Sequence, residues 1–149
     1  MRFVAKVVVI STLPFACLYA AASGQDSNPT ALAALQTKAE HAQPRDKCLL
    51  YAKLVSQMTD LAGQQLRSGD SGQASLTLMM IAQDAEEIHI GVADDSKQLK
   101  QAELLIQRTS YRLKGILSDS AYEDRQALEK TLEQLDQVQA QLMTEVFKH

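Results

Sequence analysis

Residues 74–116, ASLTLMMIAQDAEEIHIGVADDSKQLKQAELLIQRTSYRLKGI, decide the fold class of this chain. Ala74, Leu78, Ile81, Ala85, Ile88, Val92, Asp95, Leu99, Ala102, Ile106, Thr109, Leu113 and Ile116 recur at alternating steps of four and three. That is the spacing of one face of an α-helix, with Asp95 and Thr109 its only polar members. The same stretch holds Gly91 and Asp94-Asp95, residues that locally favour a turn and a helix cap. Two readings are open. One is a single helix over 71–117, roughly 70 Å long at 1.5 Å per residue. The other is a break at 91–95 with a new helix beyond it. A loop need not preserve helical phase, so the unbroken register favours the continuous or merely kinked helix. A monomer would then leave part of the stripe uncovered, and a dimer would be expected.

The flanks are helical as well. No proline occurs between Arg45 and His149, β-branched residues are sparse, and Leu, Ala, Gln, Glu and Lys dominate. Asn28 and Pro29 suit the cap and first turn of a helix over 30–43, ended by Pro44. Tyr51, Leu54, Val55, Met58, Leu61, Ala62 and Leu66 form a broad stripe over 46–68, stopped by Gly69. Ser120-Ala121-Tyr122-Glu123 reads as a capping box for a last helix over 120–147. Its stripe is Leu128, Leu132, Leu135, Val138, Leu142 and Val146, with Gln139 at one core-type position. No segment supports a strand. The expected fold is an all-α antiparallel bundle of three to four long helices, a single domain over 30–149.

Outside this body, residues 1–22 have the form of a secretory signal peptide. Arg2 and Lys6 precede an apolar run from Val7 to Tyr19, and Ala20-Ala21-Ala22 offers a cleavage site, after Ala22 or after Ala20. The run is shorter than the roughly 20 residues of a membrane-spanning helix. Cys17 invites a lipoprotein reading, but Pro14 and Phe15 stand where a lipobox wants an aliphatic and a small residue. Residues 23–29 are polar and read as a flexible leader. The expected location is periplasmic or secreted, with no integral membrane segment after cleavage. Losing Arg2 and Lys6 makes the formal charge, −3 for the whole sequence, two units more negative. An acidic chain without a long basic run argues against a nucleic-acid partner.

Chemistry-bearing residues are few. Glu86 and His89 form the one Glu-x-x-His pair, which on a helix sets a carboxylate and an imidazole one turn apart. Di-iron bundles use this pair twice, with two further glutamates. A single copy makes Glu86 and His89 a minimal metal candidate, and the solvated flank of the stripe is its plainer reading. Glu145 and His149 are four apart, but the latter reads better as a cation at a helix end. Cys48 would be the only cysteine of the cleaved chain, so no internal disulfide can form; it is either buried or paired between chains. Met58, Met79, Met80 and Met143 suit core filling or, less simply, an adaptable binding surface. Glycine-rich phosphate loops, Gly-x-Ser-x-Gly, His-Glu-x-x-His and Cys-x-x-Cys are missing from the sequence. No catalytic residue and no cofactor are expected.

Leu61-Ala62, Gly69-Asp70 and Ala74 resemble part of a tetratricopeptide repeat, whose small residues let two helices pack closely. The pattern does not return 34 residues on, where Ser96 and Arg108 fall at the small positions. It implies a tight helix–turn–helix over 46–90. The stretch from Arg45-Asp46-Lys47-Cys48 through Thr131-Leu132-Glu133-Gln134-Leu135-Asp136 to Val146-Phe147-Lys148-His149 resembles short exported helical proteins of acidobacteria. This likeness implies an envelope location and carries no site. The leading expectation is a non-enzymatic exported protein acting by helix–helix or protein–protein contact, as adaptor, chaperone-like module or self-assembling component. The alternative is a bundle that binds a metal or a small ligand.

Overall fold

The computed structural model describes residues 28–90 and 96–148, with side chains over 28–88 and 97–148. The expected signal peptide and leader, up to residue 27, the segment 91–95 and His149 lie outside the described residues. Five helices and no strand make up the described chain: α1 (Pro29–Glu40), α2 (Pro44–Arg67), α3 (Ser71–Ile90), α4 (Ser96–Asp119) and α5 (Tyr122–Val146).

Local chemistry sets most of the ends. Asn28 Oδ1 accepts from the Thr30 amide at 3.1 Å, and Pro29 occupies the first turn of α1. Pro44 opens α2 in the same way, so α2 starts two residues before the expected 46. Gly69, at φ +80°, ends α2. There the Asp70 amide donates to Gln65 O and the Gly69 amide to Leu66 O, satisfying two carbonyls of the last turn. Asp70 Oδ1 then accepts from the Gln73 amide at 3.3 Å and starts α3. The expected capping box at 120–123 is not formed. Ser120 Oγ instead donates to Ile116 O at 2.6 Å, closing α4, and the cap of α5 is Ala121, which has no side-chain acceptor to offer.

The continuous helix over 71–117 is not what forms. Thr77 Oγ1 donates to Gln65 Oε1 at 2.8 Å, so α3 runs antiparallel to α2. Gln98 Nε2 donates to Asp46 Oδ1 at 2.9 Å and Arg112 Nη1 to Asp60 Oδ1 at 2.6 Å. These two bonds lay α4 alongside α2 and parallel to it, hence opposite in direction to α3. A straight 71–117 helix would carry residue 112 far from Asp60. The described helices α3 and α4 are opposed, so the unbroken register does not mean one helix. The register survives the reversal because α3 and α4 turn their stripes into one core, where Ala74, Leu78, Ile81, Ala85, Ile88, Leu99, Ala102, Ile106, Thr109 and Leu113 are all buried. With the stripe covered inside one chain, it supplies no reason for a dimer.

α5 completes a square. Ser71 Oγ donates to Asp124 Oδ2 at 3.3 Å and Gln134 Nε2 to Glu86 Oε1 at 3.1 Å, which sets α5 parallel to α3. Lys114 Nζ meets Asp136 Oδ2 at 3.3 Å on the antiparallel α4–α5 side. The hairpin α2–α3 and the hairpin α4–α5 therefore lie side by side, like helix on like helix. The bundle is thus not antiparallel throughout: two of its four sides are parallel. α3 and α4 occupy opposite corners and the described parts of the two share no contact. α1 packs on α2 alone, burying Leu32 and Ala39. α2, packed against α1, α3 and α4, has the widest buried face: Cys48, Tyr51, Ala52, Leu54, Val55, Met58, Ala62 and Gly63 among others. α5 buries Leu128, Thr131, Leu135, Val138 and Leu142, while Leu132 and Val146 pack only partly. No helix among the described residues is long and apolar enough to cross a membrane.

Candidate functional site

Glu86 stands on the outside of α3, exposed, its carboxylate accepting from Gln134 of α5. His89 belongs to the last turn of the same helix, and its side chain lies outside the described residues. Among the described residues no three His, Cys, Asp or Glu side chains converge in a way that could hold a metal ion. At the other end of α5, Lys148 Nζ pairs with Glu145 Oε1 at 2.6 Å.

Cys48 is buried on α2 between its neighbours, a free thiol 1% exposed. Burial pushes it up to about 11, so it carries almost no thiolate at neutral pH. Of the described methionines, only Met58 joins the core. Met79, Met80 and Met143 are exposed, against the expectation of core filling. The helical period explains it: 79 and 80 fall on the face of α3 opposite Ala74, Leu78, Ile81 and Ala85.

Two features were not visible in the sequence. The first is a polar bridge between α2 and α4. Arg112 donates to Asp60 and to the Ser56 hydroxyl, while its Nε is buried without a hydrogen-bond partner. Arg112 and Asp60 are each about a third exposed, so the pair acts as a clasp on the flank of the bundle and adds little net energy. The second is Asp84 on α3, pushed up to about 6 by burial and then by the like charges of Glu40 and Glu87. Sequence spacing shows neither, because each joins helices whose facing flanks only the topology determines.

A cleft of about 930 Å³ opens where the chain turns at 68–70 and 120–121, lined by Asp60, Arg67, Arg112, Asp119, Glu123 and Asp124 among others. Its serines are engaged: Ser71 donates to Asp124, and Ser120 to Ile116 O. No histidine or cysteine lines it, so it has no thiol or hydroxyl activated by an imidazole. The more distinctive surface is apolar. Leu76, Met79 and Met80 on α3 and Leu104 and Tyr111 on α4 are exposed, Met79 at 62% and Tyr111 at 80%. Each set falls at helical spacing on one outer face. No family model, no curated protein and no solved structure matches this chain.

Proposed function

We propose that this chain is an exported helical protein that acts by contact with other protein surfaces, through the outer faces of α3 and α4. The observation that carries this reading is the pair of exposed apolar stripes on a bundle whose interior is otherwise well filled. Leu78, Ile81, Ile88, Leu99, Ile106, Leu113, Leu128, Leu135 and Leu142 are almost wholly buried. A chain with so complete a core still leaves Leu76, Met79, Met80, Leu104 and Tyr111 in solvent. Clustered exposed apolar side chains mark contact surfaces more often than isolated ones do. Methionine on such a face adapts to more than one partner shape. Export rests on the amino-terminal pattern of Arg2 and Lys6, an apolar run and Ala20-Ala21-Ala22, and the likeness to exported helical proteins agrees with it.

Native mass spectrometry of the protein taken from its own envelope fraction tests this reading. The expected result is a mass above that of one processed chain, made of protein alone. A monomer carrying a metal ion or an organic adduct would overturn it in favour of a ligand-binding bundle.

A further inference from the structure

The outer faces of α3 and α4 differ in charge as sharply as they agree in apolar content. No Lys or Arg occurs anywhere from Ser68 to Ser96, and α3 carries Asp84, Glu86 and Glu87. α4 carries Lys100, Arg108, Arg112 and Lys114 against Glu103 over the same length of bundle. On α3 the exposed stripe runs Leu76, Met79/Met80, Gln83, Glu86, with half-buried Glu87 beside it, apolar first and acidic after. On α4 it runs Lys100, Leu104, Arg108, Tyr111, at steps of four, four and three. Of these α4 residues, Arg112 and Lys114 are engaged with Asp60 and Asp136, whereas Lys100 and Arg108 point their charge into solvent.

Position matters as much as sign. α3 and α4 sit at opposite corners of the square, so the two faces look in opposite directions and cannot meet within one chain. Their levels along the bundle also match. Thr77 lies level with Gln65, and Arg112 with Asp60. Stepping along antiparallel α3 at equal rise per residue, Met79 and Met80 come level with the Tyr111–Lys114 turn of α4, and Glu87 with the stretch from Leu104 to Arg108. A second copy shifted along the α3–α4 diagonal, without rotation, therefore sets methionines within a turn of Tyr111 and carboxylates beside Arg108, with Lys100 about two turns further along the same face.

We infer that the partner of the α3 face is the α4 face of a second copy of this chain, in a head-to-tail contact that pairs acidic with basic and methionine with tyrosine. This inference rests on the contact reading proposed above and names its partner. Like faces do not suit each other: α3 on α3 would bring Glu86 and Glu87 of both copies onto a surface with no cation, and α4 on α4 would do the same with Lys100 and Arg108. Because the two faces differ, each added copy leaves one of each open, and a contact without rotation propagates into an open filament and does not stop at a closed pair.

Sedimentation of the protein as the cell processes it tests this, with two charge-reversed variants, Lys100→Glu/Arg108→Glu and Glu86→Lys/Glu87→Lys. The wild type is expected to sediment as multimers at about 0.1 M salt. It should fall back to the monomer near 1 M, where the screening length shrinks from about 10 Å to about 3 Å. Each variant alone is expected to remain monomeric, and an equal mixture of the two to regain multimers, since each then offers the face the other lacks. That recovery also shows both variants folded. A wild type that is monomeric at every salt concentration overturns the inference, as does a Lys100→Glu/Arg108→Glu protein that still assembles, or a mixture that stays monomeric. A pure monomer together with a heteromeric complex in the envelope would sink self-assembly alone and leave the contact reading standing.

Discussion

The side-by-side placement of α2 and α4 has a sensitive reporter in Gly63. A Cβ at this position would stand 2.9 Å from Ile116 Cδ1 and 3.3 Å from Arg67 Nη1. In an unhindered helix interior Gly→Ala stabilises by about 1 kcal/mol. Here the added carbon must push the end of the half-buried Ile116 off its preferred rotamer, at a cost of about 0.5–1.5 kcal/mol. Gly63→Ala is therefore expected to change stability by only about 0.5 kcal/mol in either direction, the propensity gain and the rotamer cost nearly cancelling. Ile116→Ala removes the obstructing Cδ1 and destabilises by less than the about 2–5 kcal/mol of a fully buried site. In that background Gly63→Ala should recover the whole gain, so the coupling between the two sites should be about 1 kcal/mol. Urea unfolding followed by circular dichroism, with four proteins in the cycle, measures it. Strict additivity, with Gly63→Ala stabilising equally in both backgrounds, would mean that α2 and α4 do not touch there and would refute the reversal of the chain between α3 and α4.

Two further outcomes follow from the buried titratable groups. Cys48, 1% exposed and with its thiol pushed to about 11, should react with iodoacetamide at pH 8 only in urea; rapid alkylation of the folded protein would place the residue at a surface. Asp84 has a folded-state pKa raised from 3.8 to about 6. The folded state thus binds the extra proton in this window, and its stability falls as pH rises from 3.8 to about 6. Asp84→Asn should be more stable than wild type at pH 7 and should lose most of that slope. Unchanged stability at pH 7 would show that residue 84 is neither buried nor pressed by Glu40 and Glu87.

The helices were legible in the sequence because caps and periodicity are local. Asn28-Pro29, Pro44 and Gly69 fix ends by their own backbone chemistry, and the stripe residues of α2 to α5 are buried largely where the period puts them. The order of helices around the square was not legible. A 4-3 register states which face is apolar and not which neighbour covers it, so the same stripe suits one long helix or two opposed ones. The opposite directions of α3 and α4 decide for the second. Ser120-x-x-Glu123 misled for a related reason. The Ser120 hydroxyl can serve the end of α4 as well as the start of α5, and the nearby Ile116 carbonyl takes it. The proposed contact faces escaped because Met79 and Met80 read as core fillers until the core is seen to be filled without them, and Leu104 and Tyr111, off the stripe, carry no signal of their own.

The head-to-tail contact has one most direct test, a disulfide between copies. Met79→Cys and Tyr111→Cys are made in separate chains, each with Cys17→Ala and Cys48→Ala so that one thiol remains. Mild oxidation of the equal mixture is expected to give a covalent dimer containing one chain of each kind, and either variant alone is expected to give almost none. Efficient dimerisation of the Met79→Cys protein by itself would mean that α3 meets α3, and an absence of cross-linked product in the mixture would mean that the α3 and α4 faces do not meet; either result contradicts the assembly proposed here.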